Sequence, residues 1–162
     1  MASETEFTKL IQEHQGLLIK LASVYTNNTP DREDLFQEIV YQLWKYFDSF
    51  KGDSKITTWM YRVGMNTAIT HLKRSKRVAN TGLVTEGLVL GVTSDDAIYE
   101  ERLALLHTYI QNLNQLEKGL MLLLLEGKSY SEIAEITGLS ASNVGTRISR
   151  IKTKLKKNIV KP

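Results

Sequence analysis

The chain has 162 residues, no Cys, two Pro, ten Gly and 42% hydrophobic residues. That length suits one domain or two small ones. Without Cys, disulfide scaffolds, thiolate zinc sites and cysteine nucleophiles are excluded, and a reducing cytoplasm is the expected home. No apolar run approaches the roughly 20 residues of a membrane span, and the start has no signal-peptide pattern. The Leu-, Lys-, Glu- and Ile-rich composition with few β-branched runs predicts an all-α protein.

The formal net charge of +3 conceals a block pattern. Residues 1–50 carry 8 Asp/Glu against 4 Lys/Arg, and residues 51–77 carry 1 against 7. Residues 78–139 carry 9 acids against 3 bases, and residues 140–162 carry 0 against 7. Two basic patches, each ending a helical stretch, point to two contacts with a polyanion. Solvated basic helix ends that complement the helix dipole are the other reading of the same charges.

In chain order, Phe7, Leu10, Ile11, Leu17, Leu18, Leu21 and Tyr25 predict one amphipathic helix over 5–26. Asn27, Asn28 and Thr29 end it, and Pro30 fits the first position of a second helix with Asp31, Glu33 and Asp34 in its first turn. That helix runs to about Asp48 and carries Phe36, Ile39, Val40, Leu43 and Phe47 on one stripe. After a turn at Phe50–Asp53, Ser54 is placed to cap a third helix over 55–76. Its predicted stripe is Ile56, Trp59, Met60, Val63 and Thr67, and Gly64 marks a close packing contact. Residues 78–94, with three Gly and no helical period, read as a linker. Helices follow over about 96–113, 116–126, 130–137 and 141–158.

Residues 129–157 carry the strongest local signal. Ser129 and Glu132 form a capping box, Gly138 ends the short helix, Leu139 fills the turn and Ser140 caps the next helix. This is a helix-turn-helix. On the last helix, Val144, Ile148, Ile151 and Leu155 share one face at 100° per residue. Ser142, Thr146, Ser149, Arg150, Thr153 and Lys157 lie opposite, with Asn143, Arg147 and Lys154 on one flank. Small polar residues come first and bases later, with no acid between. That order suits a helix whose front enters a major groove while its rear holds phosphates.

Residues 31–77, from DREDLFQEIV to HLKRSKR, resemble region 2 of the bacterial RNA polymerase sigma family. Residues 113–159, LNQLEKGLMLLLLEGKSYSEIAEITGLSASNVGTRISRIKTKLKKNI, resemble its region 4. With two regions and a short linker, the chain resembles the extracytoplasmic-function (ECF) subfamily. The resemblance implies a region 2 three-helix bundle over 1–77, a linker over 78–94 and a region 4 helix-turn-helix domain over 95–162. It implies that Asp34, Leu35, Gln37 and Glu38 bind core polymerase, with Trp44 near the edge.

The third helix then resembles a reader and melter of the promoter −10 element. Trp59, Tyr61, Arg62, Asn66, His71, Lys73, Arg74, Lys76 and Arg77 supply the aromatic and cationic groups that unstacked bases and a displaced strand need. By helical angle Trp59 shares the apolar stripe, which gives it a competing core role, while Tyr61 points away from the stripe as an exposed aromatic. The −35 readers would be Ser142, Asn143, Thr146, Arg147 and Arg150, with Arg150, Lys152 and Lys154 on phosphates. Three positions depart from the family pattern: Asn114 stands where Pro is frequent, Gly145 where a base is frequent, and Thr70 where Asp is frequent.

No phosphate-binding, dinucleotide or nucleophile-elbow motif occurs, and His14, His71 and His107 have no metal spacing. The expectation is therefore a non-catalytic specificity subunit with no cofactor. Its expected partners are core RNA polymerase, promoter DNA and an anti-sigma factor, with no membrane insertion. The alternative is a helix-turn-helix regulator that works without being a polymerase subunit; it accounts for 129–157 and leaves 31–77 unexplained.

Overall fold

The computed structural model describes residues 3–78 and 108–160, with side chains for 3–74 and 108–157. The linker expected over 78–94 and most of the helix expected over 96–113 lie outside the described residues. The described residues contain helices and no strand. The chain divides into two compact units, with the boundary between residues 86 and 87.

The first unit comprises α1 (Glu4–Glu13), α2 (Gln15–Val24), α3 (Thr29–Tyr46), a 3₁₀ turn (Phe47–Ser49) and α4 (Ile56–Val78). Four helices stand where three were predicted, because the first is interrupted at His14 (φ −113°, ψ 21°). The interruption lets each half follow its own apolar partner. In α1, Phe7 joins Trp44 and Phe47 at ring-centroid distances of 5.0 and 5.2 Å. In α2, Leu18 and Leu21 enter the main core. Helix α3 starts one residue earlier than expected: Asn28 is the cap, its side-chain oxygen accepting from the Asp31 N–H.

Leu18, Leu21, Leu35, Ile39, Leu43 and Met60 are fully buried where α2, α3 and α4 pack together. Burial of each such side chain is worth about 1.5–3 kcal/mol. Helix α4 begins at Ile56, and the Trp59 N–H donates to the Lys55 carbonyl, so Ser54 lies one residue too early to cap it. Its buried face is also rotated from the predicted stripe. Trp59, Met60, Tyr61, Gly64, Met65 and Ala68 face inward, whereas Ile56, Val63 and Thr67 are half-buried. The reason lies in the small residues. A Cβ on Gly64 would overlap Leu21 Cδ2 and sit 3.6 Å from Ile39 Cγ2. The packing seam therefore runs through Gly64 and Ala68, turning Val63 and Thr67 to its edge.

Tyr25, at the end of α2, is almost wholly buried, and that burial pushes its phenol far above its ordinary value of 10. The unfolded chain ionises this group near pH 10 while the folded chain resists. The contribution is complete below pH 10 and is lost as pH rises beyond it. Urea unfolding is expected to show the first unit losing up to about 1.4 kcal/mol per pH unit above pH 10 from this group. In Tyr25→Phe that component of the slope should vanish; an unchanged slope would refute the assignment.

The second unit contains α5 (Gln115–Leu125), α6 (Tyr130–Thr137) and α7 (Ala141–Val160). Ahead of them, residues 108–110 are the helical end of the element expected over 96–113. Asn114, one of the departures from the family pattern, caps α5 in a capping box: its oxygen accepts from the Glu117 N–H at 2.9 Å, and the Glu117 carboxylate accepts from the Asn114 N–H at 3.0 Å. The predicted box at α6 is present as well, between Ser129 and Glu132. Gly138 takes φ +81°, the left-handed value that the turn requires. Leu120, Leu123, Ile133, Val144, Ile148 and Ile151 form a core shared by the three helices.

Candidate nucleic-acid interface

On α3, Asp34 and Gln37 are exposed, and Trp44 is 44% exposed. Tyr41, at 57%, is missing from the predicted set. It lies seven residues after Asp34, so helical spacing carries the signal that links it to that face. Leu35, by contrast, is fully buried, which corrects its expected role as a partner contact. An apolar residue inside the motif fills the core and leaves contact to its neighbours. Glu38 is half-buried and accepts from Gln42 Nε2 at 3.2 Å.

Tyr61 is only 3% exposed, which overturns the expectation of an exposed aromatic. The rotated seam of α4 takes it into the core. Trp59, 8% exposed, packs against Phe50 and Phe47 at 5.2 and 6.3 Å, so its core role prevails over base contact. The remaining candidates keep a polar surface. Asn66, Lys73 and Arg74 are exposed, and Arg62 and His71 are half-buried. Lys76 and Arg77 lie on the last turn of α4, and their side chains fall outside the described residues.

A groove of about 400 Å³ runs between α3 and α4. Glu38, Gln42 and Tyr46 line one wall; Val63, Asn66, Thr67, Thr70, His71 and Arg74 line the other. Gln42 and Tyr46 carry no sequence signal for this groove, because only the fold brings α3 beside this part of α4. The groove joins a carboxylate, two carboxamides and a guanidinium, which can serve the donor and acceptor edges of an unpaired base.

In the second unit, Ser142, Thr146, Ser149, Arg150, Lys152 and Lys154 are exposed on α7, and Asn143 and Arg147 are half-buried. Four of the predicted contacts have intramolecular partners: Asn143 and Arg147 pair with each other, Lys154 with Glu117, and Thr146 with the Ser142 carbonyl. Arg147 Nε donates to Asn143 Oδ1 at 3.1 Å. Lys154 Nζ lies 3.4 Å from Glu117 Oε1, the same oxygen that caps α5. Arg150, Lys152, Lys156 and Lys157 are exposed and add outward basic charge to this stretch. Among the described residues, no His/Cys/Asp/Glu group could hold a metal ion, and no helix is long and apolar enough to cross a membrane.

Residues 10–78 match the Sigma-70 region 2 family, and residues 103–155 match Sigma-70, region 4. RNA polymerase sigma factor YlaC of Bacillus subtilis is 32% identical, over 84% of this chain and 82% of that protein. The chain belongs to the sigma-70 family, in its ECF subfamily. The sigma factor is also 28% identical to the ECF RNA polymerase sigma-E factor of Escherichia coli K12, over 89% of this chain and 81% of that one. It is 27% identical to RNA polymerase sigma-H factor of Pseudomonas aeruginosa, over 93% and 84%.

Two solved structures share its fold. RpoE of Bartonella quintana, in complex with the anti-sigma factor NepR, aligns with a TM-score of 0.77 at 18% identity, over 94% of this chain and 95% of that one. CnrH, in complex with the cytosolic domain of CnrY, aligns at 0.70 with 21% identity, over 98% and 90%. As a sigma factor the chain binds core RNA polymerase, recognises promoter DNA and directs transcription initiation.

Proposed function

We propose that this sigma factor divides its work between its two units. Residues 1–77 hold core polymerase through Asp34, Gln37, Tyr41 and Trp44, and open the −10 element with Arg62, Asn66, His71, Lys73, Arg74, Lys76 and Arg77. Residues 95–162 hold the −35 duplex through α7, and residues 78–94 span between them. One observation carries this reading: the exposed stripe of α3 is acidic and aromatic, whereas the outer face of α7 has no acid and ends in bases. Opposite charge is what a protein partner's basic surface and a DNA backbone respectively require. The chain has no catalytic activity of its own, since polymerisation belongs to its partner. It works in the cytoplasm, and an anti-sigma factor holds it idle; the similar RpoE of Bartonella quintana is bound to the anti-sigma factor NepR.

Run-off transcription with core enzyme on randomised promoters tests the division. Arg150→Ala is expected to weaken −35-dependent binding about ten-fold and to lower the salt slope by about 1, with core association intact. Arg147→Ala should cost less, because its guanidinium already serves Asn143. Equal effects of both variants on core association would overturn the division. Palindrome binding with no core association would favour a regulator working without polymerase.

A further inference from the structure

The front of α7 has an uncommon surface for a helix that reads DNA. Residues 141–146 contain no charged side chain. Gly145 contributes no side chain at all, and Tyr130 from α6 covers the space: its Cε2 and Cδ2 lie 3.4 and 3.5 Å from where a Cβ on Gly145 would be. Tyr130 nevertheless remains 41% exposed. Thr146 is exposed and adds a methyl to this surface, while its hydroxyl donates to the Ser142 carbonyl at 3.1 Å and keeps only its acceptor capacity. An aromatic ring over the Gly145 backbone is thus followed along the helix by a methyl-bearing exposed residue.

Guanine presents O6 and N7 to the major groove and is best matched by an Arg or Lys fork, whereas carbon surface matches the C5-methyl of thymine. Resting on the reading that α7 enters the −35 major groove, we infer that Tyr130, Gly145 and Thr146 form an apolar seat for one thymine methyl. Tyr130 is then a specificity-determining residue supplied from outside the recognition helix. Ser142 and Ser149 flank the seat, but hydroxyls serve any base and discriminate little.

The probe is a promoter duplex selected by the full-length sigma factor with core polymerase from a pool randomised at −35. Each thymine is replaced in turn by deoxyuracil, which removes only the methyl. One position is expected to bind about four-fold more weakly, the factor for burying one such group. Tyr130→Phe should retain that loss, whereas Tyr130→Ala and Thr146→Ser should shrink it at the same position. Thr146→Ser keeps the test decisive if Tyr130→Ala does not fold. Uracil tolerated at every position, or discrimination erased in Tyr130→Phe, overturns the seat alone. A pool with no −35 preference, despite intact core association, overturns the −35 reading as well.

Discussion

Replacing Asp34 and Gln37 together by alanine is expected to lower affinity for core polymerase at least about ten-fold, with thermal unfolding unchanged. Both side chains are exposed on α3 and neither contributes to the core. Leu35→Ala is expected to do the reverse. Its side chain is fully buried among α2, α3 and α4, so truncation leaves a cavity and costs about 2–5 kcal/mol of the first unit's stability. The folded fraction should still bind core polymerase. Leu35→Met, which keeps the volume, should cost less than about 1.5 kcal/mol. Titration of labelled core enzyme beside a melting curve separates the two effects. A loss of affinity in Leu35→Ala without a loss of stability would return that residue to the interface.

The second large effect concerns Gly64. Gly64→Val places branched carbon where Leu21 already sits, in a core with no slack. The expected cost is about 1–3 kcal/mol or more, read as a lower urea midpoint for the first unit. The overlap pushes α4 from α2, where Leu21 sits, so α4 groove residues such as Asn66 and Arg74 shift and promoter opening should fall. Gly16→Ala is the control. It meets nothing within 4 Å and should gain up to about 1 kcal/mol from helix propensity. Truncating Leu21 in the Gly64→Val background should recover part of the loss, because contacting residues couple. Additive losses in the double variant would mean the overlap is not the cause.

Periodicity and capping chemistry are most legible in the second unit. The bounds of α6, the cap at Ser129 and the left-handed Gly138 are local properties, set within four or five residues, and the apolar face of α7 follows from helical spacing. The Asn114 cap is equally local, and its sequence signal is Glu117 three residues on. In the first unit, the break at His14 carries no proline or helix-ending glycine signal. It separates Phe7, which packs on Trp44 and Phe47, from the fully buried Leu18.

Sequence alone determined the all-helical class, the helix-turn-helix, the block charges and the order of the two matching regions, because each follows from neighbours along the chain. Tertiary structure decided which side of each helix is free to act. Leu35, Trp59 and Tyr61 turn inward, Tyr41 stays outside, Lys154 is drawn to Glu117, and Gln42 and Tyr46 join a groove with α4. The physical reason is that a helix offers several faces of comparable character. The choice among them depends on how closely a neighbour can approach, and at α4 the missing side chain of Gly64 set that distance.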